Sequence, residues 1–480
     1  MSGWGRWWLL GALLLGLGLA WRIVPYQVDD AFITYRYAQN LLAGEPLRFN
    51  LGGERVEGFS SPLWMLAMAA VGSVGAIPVG GVVLGLGAYL ATAYVLLRAA
   101  GFAAAVAWLC LPTAIFYAVT GLETCAFALC VALFSASLAG QLPRSYGLAA
   151  AVIAPWVRPE APWLVVSGLC LNRREWRPSA ALVGSYAVLI ATRWTLFHEL
   201  LPNTYFAKPR DDAQAWQALT SAFSAPWPWL LFAAASVAAT RAASARGYLL
   251  ASLSWLLAFW LEGGDWMPQA RMMLPAFTLA TLACGELARM PRALVLVALT
   301  MVASVASTLE QARRSERSLH SIRREARKVA GMIEQSGAHS VAAVDIGELG
   351  FASRIQILDL VGLTDRRIAH SPGLHGSKQL DLAYVFEERR PDLILIRMNQ
   401  AEIRPEQDVI RLPPSDAMGL IEARLLLDPR LRERYQLALL QYPQVPRSNM
   451  YIRALYRRKD FRASGALSGP LTLLRTRPVD

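Results

Sequence analysis

The chain has 480 residues, of which 55% are hydrophobic and only 17% are charged, with a formal net charge of +12. This composition is too apolar for an ordinary soluble protein. The positive charge does not indicate nucleic-acid binding, because the arginines cluster at the ends of apolar segments and in the last third of the chain. The five cysteines lie in or beside apolar segments without CxxC spacing, which excludes a zinc or disulfide framework.

Apolar segments follow one another through the first 309 residues and predict a membrane protein of about 11 spans, although a spanning helix needs about 20 residues and some are shorter. The first segment also resembles a signal peptide, with Gly18-Leu19-Ala20 as a cleavage site, but a retained anchor serves the later spans equally well. The predicted spans are residues 7–24, 79–97, 100–118, 122–140, 146–157, 160–172, 178–197, 226–240, 247–262, 270–288 and 292–308.

The arginine-rich turns between these segments fix an orientation under the positive-inside rule. The N-terminus is then cytoplasmic, residues 62–77 lie at partial depth on the outer side, and everything after about residue 309 is outside. The short fifth and sixth segments meet at a charged junction, 156–160, which favours a position lining protein or a water-filled cavity.

Two adjacent acids, Asp29 and Asp30, follow directly on the first apolar segment and begin an amphipathic helix. An ionisable pair at the rim of a membrane is costly unless it faces a cavity or a partner, so it is a hypothesis of a functional site. The alternative is an interfacial helix whose acids merely face water.

The predicted orientation places the unusual polar loops together on the outer face, as expected of an extracytoplasmic active site. The alternative is that the short inner turns leave the polar loops outside by default. Lys208 is the only lysine before Lys328, which suggests a point charge for a phosphate, although a single residue can also occur by chance. Arg158 and Arg271 suit bidentate phosphate contacts, or they are snorkelling rim residues.

Residues 310–480 change character. A charged helical stretch is followed by short β-rich runs at 340–345, 355–360, 391–396 and 450–456, which alternate with helical patterns and predict a small α/β domain. Asp345, Asp359 and Asp365 sit at strand ends, where they either form a ligand site or serve as turn formers and helix caps. His370 and His375 lack a convincing set of metal partners.

A set of motifs carries a resemblance over nearly the whole chain. It resembles the terminal arabinofuranosyltransferase family of the mycobacterial cell wall and its proteobacterial relatives, including those that modify pilins, although this chain is shorter in its last third. The motifs are Asp29-Asp30-Ala31-Phe32-Ile33, Arg36-Tyr37-Ala38, Asn50, Gly53-Glu54-Arg55-Val56-Glu57-Gly58, Trp64, Gly121-Leu122-Glu123-Thr124, Arg158-Pro159-Glu160, Pro202-Asn203-Thr204-Tyr205-Phe206-Ala207-Lys208, Gly263-Gly264-Asp265-Trp266-Met267-Pro268, Asp345-Ile346-Gly347 and 358–365.

The resemblance implies a polytopic α-helical membrane protein of the C-type glycosyltransferase superfold. Residues 1–309 would form the transmembrane domain with a catalytic outer loop at 25–78, and residues 310–480 an extracytoplasmic α/β domain. The implied activity is transfer of a sugar, D-arabinofuranose, with inversion, from a polyprenyl phosphate to a surface glycan or a secreted protein such as a pilin. The implied location is the bacterial inner membrane, with the active site on the periplasmic side, and no nucleic acid takes part.

The same resemblance assigns roles to residues. Asp29 or Asp30 would be the base; adjacent acids on a helix point about 100° apart, so only one faces the reacting carbon, and Asp29 is favoured slightly. No cofactor is required, a divalent cation is left open, and no metal ligands are assigned. The expected phosphate contacts are Lys208, Arg271 and Arg158, and the expected sugar or acceptor contacts are Arg36, Tyr37, Glu57, Glu123, Glu160 and Asp265.

Two other classes of function remain open. A transporter or flippase of lipid-linked sugars would place charges near the bilayer midplane and contain inverted repeats, whereas here the charges gather on one face. A non-catalytic envelope scaffold would bind a partner through its α/β domain and tolerate loss of the paired aspartates.

Overall fold

The structure is a computed structural model that describes residues 3–24, 27–265, 267–290, 292–399, 402–404, 409–411, 415, 418–442, 452–469 and 472–475. The chain divides into two compact units. Unit 1 comprises Met1–Val28, Ser60–Leu200 and Arg210–Glu316, and unit 2 comprises Asp29–Phe59, Leu201–Pro209 and Arg317–Asp480.

Helices dominate the first two thirds of the chain. All except α2 and α11 belong to unit 1. In chain order they are α1 (Gly3–Ile23), α2 (Asp29–Leu42), α3 (Pro62–Gly72), α4 (Ile77–Ala100), α5 (Phe102–Leu109), α6 (Pro112–Val119), α7 (Thr124–Leu138), α8 (Arg144–Val157), α9 (Leu164–Leu171), α10 (Arg177–Phe197), α11 (Asn203–Ala207), α12 (Asp212–Ala222), α13 (Pro226–Ala239), α14 (Ala243–Leu261) and α15 (Leu274–Ala283).

Every predicted apolar segment coincides with helical structure, so the polytopic helical class is confirmed. Among the described residues, three helices are long and apolar enough to cross a membrane: Gly5–Ile23, Ile77–Ala100 and Arg177–Phe197. The count rises to five if α5 with α6 and α12 with α13, bent by 62° and 80°, are each one span. The expected count of eleven stays a prediction, because the remaining segments form shorter apolar helices.

The break between α5 and α6 shows how unit 1 satisfies an interrupted helix. Pro112 at the start of α6 cannot continue the hydrogen-bond ladder of α5. The freed carbonyl of Leu109 accepts a hydrogen bond from the Tyr89 hydroxyl of α4 at 2.5 Å, and Trp108 Nε1 donates to the Tyr89 carbonyl at 3.0 Å. The Tyr89 hydroxyl of a neighbouring helix thus replaces a lost backbone partner, as an apolar surrounding requires.

The last third begins with the long helix α16 (Leu294–Gln335) and continues as a small sheet with short helices, so the sheet predicted there is confirmed. Of the predicted late strand, 452–456 falls in β7, while Met450 and Tyr451 lie outside the described residues. The elements are β1 (Ser340–Ala343), α17 (Gly347–Ala352), β2 (Gln356–Asp359), α18 (Arg366–Ala369), β3 (Leu393–Met398), β4 (Glu402–Arg404), β5 (Val409–Arg411), α19 (Leu420–Leu427), α20 (Pro429–Arg434), β6 (Tyr435–Tyr442), β7 (Ile452–Arg458) and β8 (Thr472–Arg475).

The main sheet has the strand order β2-β1-β3-β7-β6-β8, and β4 pairs with β5 apart from it. β1 is parallel to both of its neighbours, with Ala343 opposite Asp359 of β2 and Val341 opposite Leu393 of β3. The strands β7 and β6 add antiparallel pairs. The chain therefore leaves β1 to one side for β2 and returns to the other side for β3.

Helix α2 is part of unit 2 and packs on α17 through aromatic side chains. Phe32 lies 5.6 Å from the ring of Phe351, and Tyr35 lies 6.0 Å from it. On its other side Tyr37 contacts Phe59 with ring centroids 4.8 Å apart. This apolar packing fixes the N-terminus of α2, where the paired acids lie.

Candidate functional site

The two paired acids differ sharply in their surroundings. Both carboxylate oxygens of Asp29 accept backbone hydrogen bonds, from Gly347 N at 2.9 Å and from Glu348 N at 2.8 Å. A Cβ atom at Gly347 would lie only 2.0 Å from the Asp29 carbonyl oxygen, so this close approach requires glycine. Asp29 is half-buried and connects the starts of α2 and α17 through these two hydrogen bonds.

Burial, together with the neighbouring carboxylate of Asp345, raises the pKa of Asp29 to about 7. The hydrogen bonds from Glu348 and Gly347 act in the opposite direction, because they stabilise the charged form. Asp29 therefore changes its protonation near neutral pH in the folded protein.

Asp30, by contrast, faces a cation. Its Oδ2 lies 3.3 Å from Lys208 Nζ, and the two side chains are 18% and 27% exposed, so the pair is partly open to solvent. This ion pair brings Asp30 together with Lys208, the single lysine of the first two thirds of the chain.

The segment that carries Lys208 is anchored to the α/β part of unit 2. Asn203 Nδ2 donates to the carbonyls of Gly362 and Leu363 at 2.8 and 2.9 Å. The Lys378 ammonium is buried and donates to three carbonyls, those of Phe206, Ala369 and Ser371, at 2.8, 2.7 and 3.0 Å. These ties hold the backbone on which Lys208 is mounted.

His375 of unit 2 interacts electrostatically with Lys208, with Asp30 and with Arg397. Burial, together with the charge of Lys208, lowers the pKa of His375 to about 4, so its imidazole is neutral at pH 7. Arg397 binds Asp345 at 2.9 Å and Glu422 at 2.6 Å. Sequence reasoning set His375 aside and missed Arg397 and Glu422, because their proximity arises from the fold of the last third.

Two residues that were expected to contact sugar, Arg36 and Tyr37, instead donate hydrogen bonds to backbone carbonyls of unit 2. The guanidinium of Arg36 donates to the carbonyls of Phe49, Gly350 and Ile355 at 2.6, 2.9 and 2.7 Å. The Tyr37 hydroxyl donates to the carbonyl of Val56. Both side chains are buried and tie α2 to the surrounding loops.

The other residues singled out in unit 2 have local structural roles. Glu57 is buried, and its carbonyl accepts from Asn203 N at 3.2 Å. The Asp359 carboxylate accepts from three backbone N–H groups of the turn that follows it, and Asp365 caps α18. Asp359 and Asp365 are therefore a turn former and a helix cap, the alternative that the sequence left open, and only Asp345 joins the cluster.

Unit 1 contains the other sequence-predicted charges, and there they form closed ion pairs. Arg158 Nη1 binds Glu123 Oε1 at 2.7 Å, and its Nε and Nη2 bind the two oxygens of Glu160. Burial alone would lower the pKa of Arg158, but the two carboxylates raise it well above its usual range, so the guanidinium is permanently charged.

Arg271 forms a second pair in unit 1. Its Nε and Nη2 bind the two oxygens of Asp265 at 2.9 and 3.3 Å. The loop that presents it is strained, since Gln269 and Ala270 both adopt positive φ values of 60° and 51°. Thr113 of α6 holds this loop by donating to the Gln269 carbonyl at 2.9 Å.

A pocket lies beside these ion pairs in unit 1. One part of its wall is charged and another is apolar, so it is amphipathic. Glu262 accepts a hydrogen bond from Trp163 Nε1 at 2.6 Å; the sequence places it in an outer loop but assigns it no role. The lining residues are Thr124, Phe127, Arg158, Glu160, Trp255, Phe259, Glu262, Arg271, Met272 and Pro275.

The sequence-predicted site residues therefore fall into two clusters, one in each unit. Asp29, Asp30 and Lys208 come together in unit 2, whereas Glu123, Arg158, Glu160, Asp265 and Arg271 come together in unit 1. Trp266 lies outside the described residues. Within the described ranges there is no group of three or more His, Cys, Asp or Glu side chains that could hold a metal ion.

Comparison of the fold with solved structures shows to which fold class the chain belongs. The chain has the C-type glycosyltransferase fold, so the superfold expected from the sequence is confirmed, while the arabinofuranosyl specificity remains a prediction.

In particular, the fold is similar to two crystal structures of ArnT from Cupriavidus metallidurans. The apo structure has a TM-score of 0.58 at 12% identity, covering 98% of this chain and 99% of that chain. The structure bound to undecaprenyl phosphate has a TM-score of 0.54 at 12% identity, covering 98% and 100%.

Sequence comparison adds one match. Residues 315–456 match a family described as "Domain of unknown function (DUF8728)". Among curated protein sequences, none matches the chain.

Proposed function

We propose that this protein is a membrane glycosyltransferase that moves a sugar, D-arabinofuranose, from a polyprenyl phosphate donor to a surface glycan or a secreted protein such as a pilin. The fold supports the proposal, since a chain of the same fold has been crystallised with undecaprenyl phosphate. The motifs of the arabinofuranosyltransferase family supply the choice of sugar and acceptor.

The observation that carries the proposal is the partly open pair of Asp30 and Lys208, 3.3 Å apart. Transfer with inversion needs a base for the acceptor hydroxyl and a cation for the departing phosphate. Asp30 takes the proton as the acceptor oxygen bonds to the anomeric carbon. The bond from that carbon to the phosphate oxygen breaks, and Lys208 stabilises the charge left on the polyprenyl phosphate.

Asp30 is a better candidate for the base than Asp29. Both oxygens of Asp29 already accept backbone hydrogen bonds, and releasing them would leave two N–H groups without partners. Asp29 instead fixes the direction in which α2 presents Asp30. The slight preference for Asp29 drawn from the sequence is therefore reversed in this proposal.

The pocket of unit 1 has an apolar wall that suits the first isoprene units of a lipid donor. Phe127, Trp255 and Phe259 form this wall, whereas Arg158 and Arg271, expected from the sequence to contact phosphate, are already paired with carboxylates. Glu123, Glu160 and Asp265 then fix these guanidinium groups rather than contact a sugar. Arg36, Tyr37 and Glu57 act as internal supports of α2 and its loop.

The remaining expectations are part of the same proposal. Residues 1–309 would form a multi-pass domain in the bacterial inner membrane with the catalytic loop at 25–78, and residues 310–480 would lie on the periplasmic side. The reaction needs no nucleotide, and the donor supplies the leaving group, so no cofactor is required; a divalent cation stays an open question that chelation can answer.

The test compares wild type with Asp30→Asn, Lys208→Ala and Asp29→Asn, each purified in detergent and given a synthetic polyprenyl-phospho-arabinofuranose with an envelope acceptor fraction. Asp30→Asn should lower the transfer rate by roughly 100-fold or more while the variant still binds the donor. Lys208→Ala should lower it comparably, because it removes the charge that steadies the phosphate.

Asp212→Asn is the matched control, because it removes an exposed acid that also pairs with a cation, Arg210. Its rate should stay within about twofold of wild type, since exposed pairs contribute little. Wild-type rates in both Asp30→Asn and Lys208→Ala would contradict the proposed chemistry. Movement of the donor across a liposome membrane without any transfer would favour a flippase.

A further inference from the structure

The last third of the chain, which matches a domain of unknown function, contains a recognisable place for a ligand. In sheets with parallel strands, ligands bind outside the carboxyl ends of the strands, at the point where the strand order reverses. Here β1 lies between β2 and β3 and is parallel to both, so the reversal occurs between β1 and β3. We call the space outside the carboxyl ends of β1 and β3 the switch-point crevice.

Charged side chains from both strands meet at this crevice. Asp345 follows β1 by two residues, and Arg397 is the penultimate residue of β3. Arg397 Nη1 binds Asp345 Oδ1 at 2.9 Å. The Asp345 side chain is 38% exposed, so its carboxylate is accessible to a solute.

A buried acid fixes the arginine. Glu422 of α19 is only 1% exposed, and its Oε1 accepts from Arg397 Nε at 2.6 Å. Burying a carboxylate is costly unless it is paired, so Glu422 and Arg397 hold each other in place. The guanidinium is thereby oriented before any ligand arrives.

The crevice belongs to the same cluster as the paired acids, within unit 2. Asp345 interacts electrostatically with Asp29. Arg397 interacts in the same way with His375, as do Lys208 and Asp30. A ligand in the crevice would therefore lie beside the residues to which the proposed function assigns the chemistry.

The charges select the class of ligand. Arg397 is already bound by two carboxylates, so an anion such as a phosphate would be repelled there, and the described residues offer no set of metal ligands. A carboxylate acceptor beside a fixed fork of N–H donors instead suits hydroxyl groups, each of which donates and accepts a hydrogen bond.

We propose that the switch-point crevice binds a sugar ring through its hydroxyl groups, with Asp345 accepting and Arg397 donating hydrogen bonds. This inference rests on the proposed function insofar as the sugar is a substrate of the transferase. It gives the matched domain a role in recognising sugar, either that of the acceptor or that of the donor headgroup.

Direct binding tests the crevice without any transfer. A panel of methyl glycosides, including the arabinofuranoside, galactofuranoside, glucopyranoside and rhamnopyranoside, is titrated into the full-length protein in detergent and followed by ligand-observed NMR. At least one glycoside should bind wild type, and Asp345→Asn should weaken its binding about 10- to 100-fold, the effect of losing a charged hydrogen bond.

Asp460→Asn is the matched control, since Asp460 is an exposed acid of the same unit that also pairs with arginines, Arg390 and Arg458. It should bind the glycoside as wild type does. Arg397→Lys keeps a positive charge for Glu422 but loses the forked donors, so it should weaken binding while the protein still unfolds cooperatively. If no glycoside binds wild type, or if Asp345→Asn and Arg397→Lys bind as the control does, the proposal is wrong.

Two kinetic arms then distinguish the source of the sugar. A higher KM of Asp345→Asn for the acceptor alone identifies an acceptor site, whereas a higher KM for the donor alone identifies the donor headgroup. Binding without any transfer by wild type would overturn the proposed function and leave the sugar site standing, so failure of one is distinguishable from failure of the other.

Discussion

The two charged clusters of this protein differ in how deeply their side chains are buried. In unit 1, two guanidinium groups are closed by three carboxylates, and all five side chains are largely buried. In unit 2, Asp30, Lys208 and Asp345 remain partly exposed, and their neighbour Asp29 changes protonation near neutral pH.

This difference separates side chains that are held in a fixed position from side chains that can react. Buried ion pairs are rigid because releasing one partner leaves a desolvated charge, so the unit 1 cluster suits fixed binding. Partly open pairs cost less to rearrange, so the unit 2 cluster suits proton transfer and exchange of partners. Substitutions in the two clusters should therefore differ in effect, from the largest in unit 1 to the smallest in unit 2.

The largest effect is expected in unit 1. Arg158→Gln leaves Glu123 and Glu160 without their cation and should lower the free energy of unfolding by about 3–5 kcal/mol. Denaturant titration in detergent measures it. Arg144→Gln, which breaks an ion pair whose arginine is 72% exposed, should change stability by less than about 1 kcal/mol. Equal effects would show that the Arg158 cluster is not rigid.

The second prediction separates the paired acids by stability. At pH 5, where the Asp29 carboxyl is protonated and carries no buried charge, Asp29→Asn should lower the free energy of unfolding by about 2–3 kcal/mol, because the amide nitrogen cannot accept from Gly347 N or Glu348 N. Asp30→Asn should lower it by less than about 1 kcal/mol. The same titration measures both, and a larger loss in Asp30→Asn would reverse the roles given to the two acids.

The third prediction concerns the support of Lys208. Lys378→Met removes an ammonium that donates to three carbonyls and should lower the free energy of unfolding by about 1–2 kcal/mol. Since one of these carbonyls belongs to Phe206, the transfer rate should fall as well. Lys459→Met, a change at an exposed lysine with one backbone partner, should affect neither quantity. A normal rate in Lys378→Met would show that Lys208 needs no such anchor.

The smallest expected effect is a change in how the melting temperature depends on pH. The folded-state pKa of Asp29, about 7, is raised above its usual 3.8, so its contribution to stability is full below 3.8 and is lost as the pH rises through about 7. Asp345→Asn removes one cause of the raised pKa. Its melting temperature should therefore decline less than that of Asp460→Asn between pH 5 and pH 7, and parallel profiles would contradict the coupling.

Much of the fold follows from local sequence patterns. Apolar segments predict the helices, and alternating β-rich runs predict β1, β2 and β3, because both patterns reflect burial of nearby residues. The number of spans does not follow, since Pro112 bends one predicted span into two helices and the structure has further short helices where full spans were expected.

The site follows from the sequence only in part. Asp29, Asp30 and Lys208 are unusual in composition or position, and the fold brings them together. Which acid is tied by the backbone depends on Gly347, more than 300 positions away, and the sequence alone does not pair them. Arg397 and Glu422 carry no motif, since they become neighbours only when β3 and α19 pack.

The central claim is that Asp30, with Lys208, performs the chemistry while Asp29 holds the helix. A single-turnover measurement of polyprenyl phosphate release from the synthetic donor, with enzyme in excess, tests it most directly. The account predicts that Asp30→Asn binds the donor normally and releases polyprenyl phosphate at least about 100-fold more slowly than the Asp212→Asn control. Release by Asp30→Asn at the control rate would contradict it.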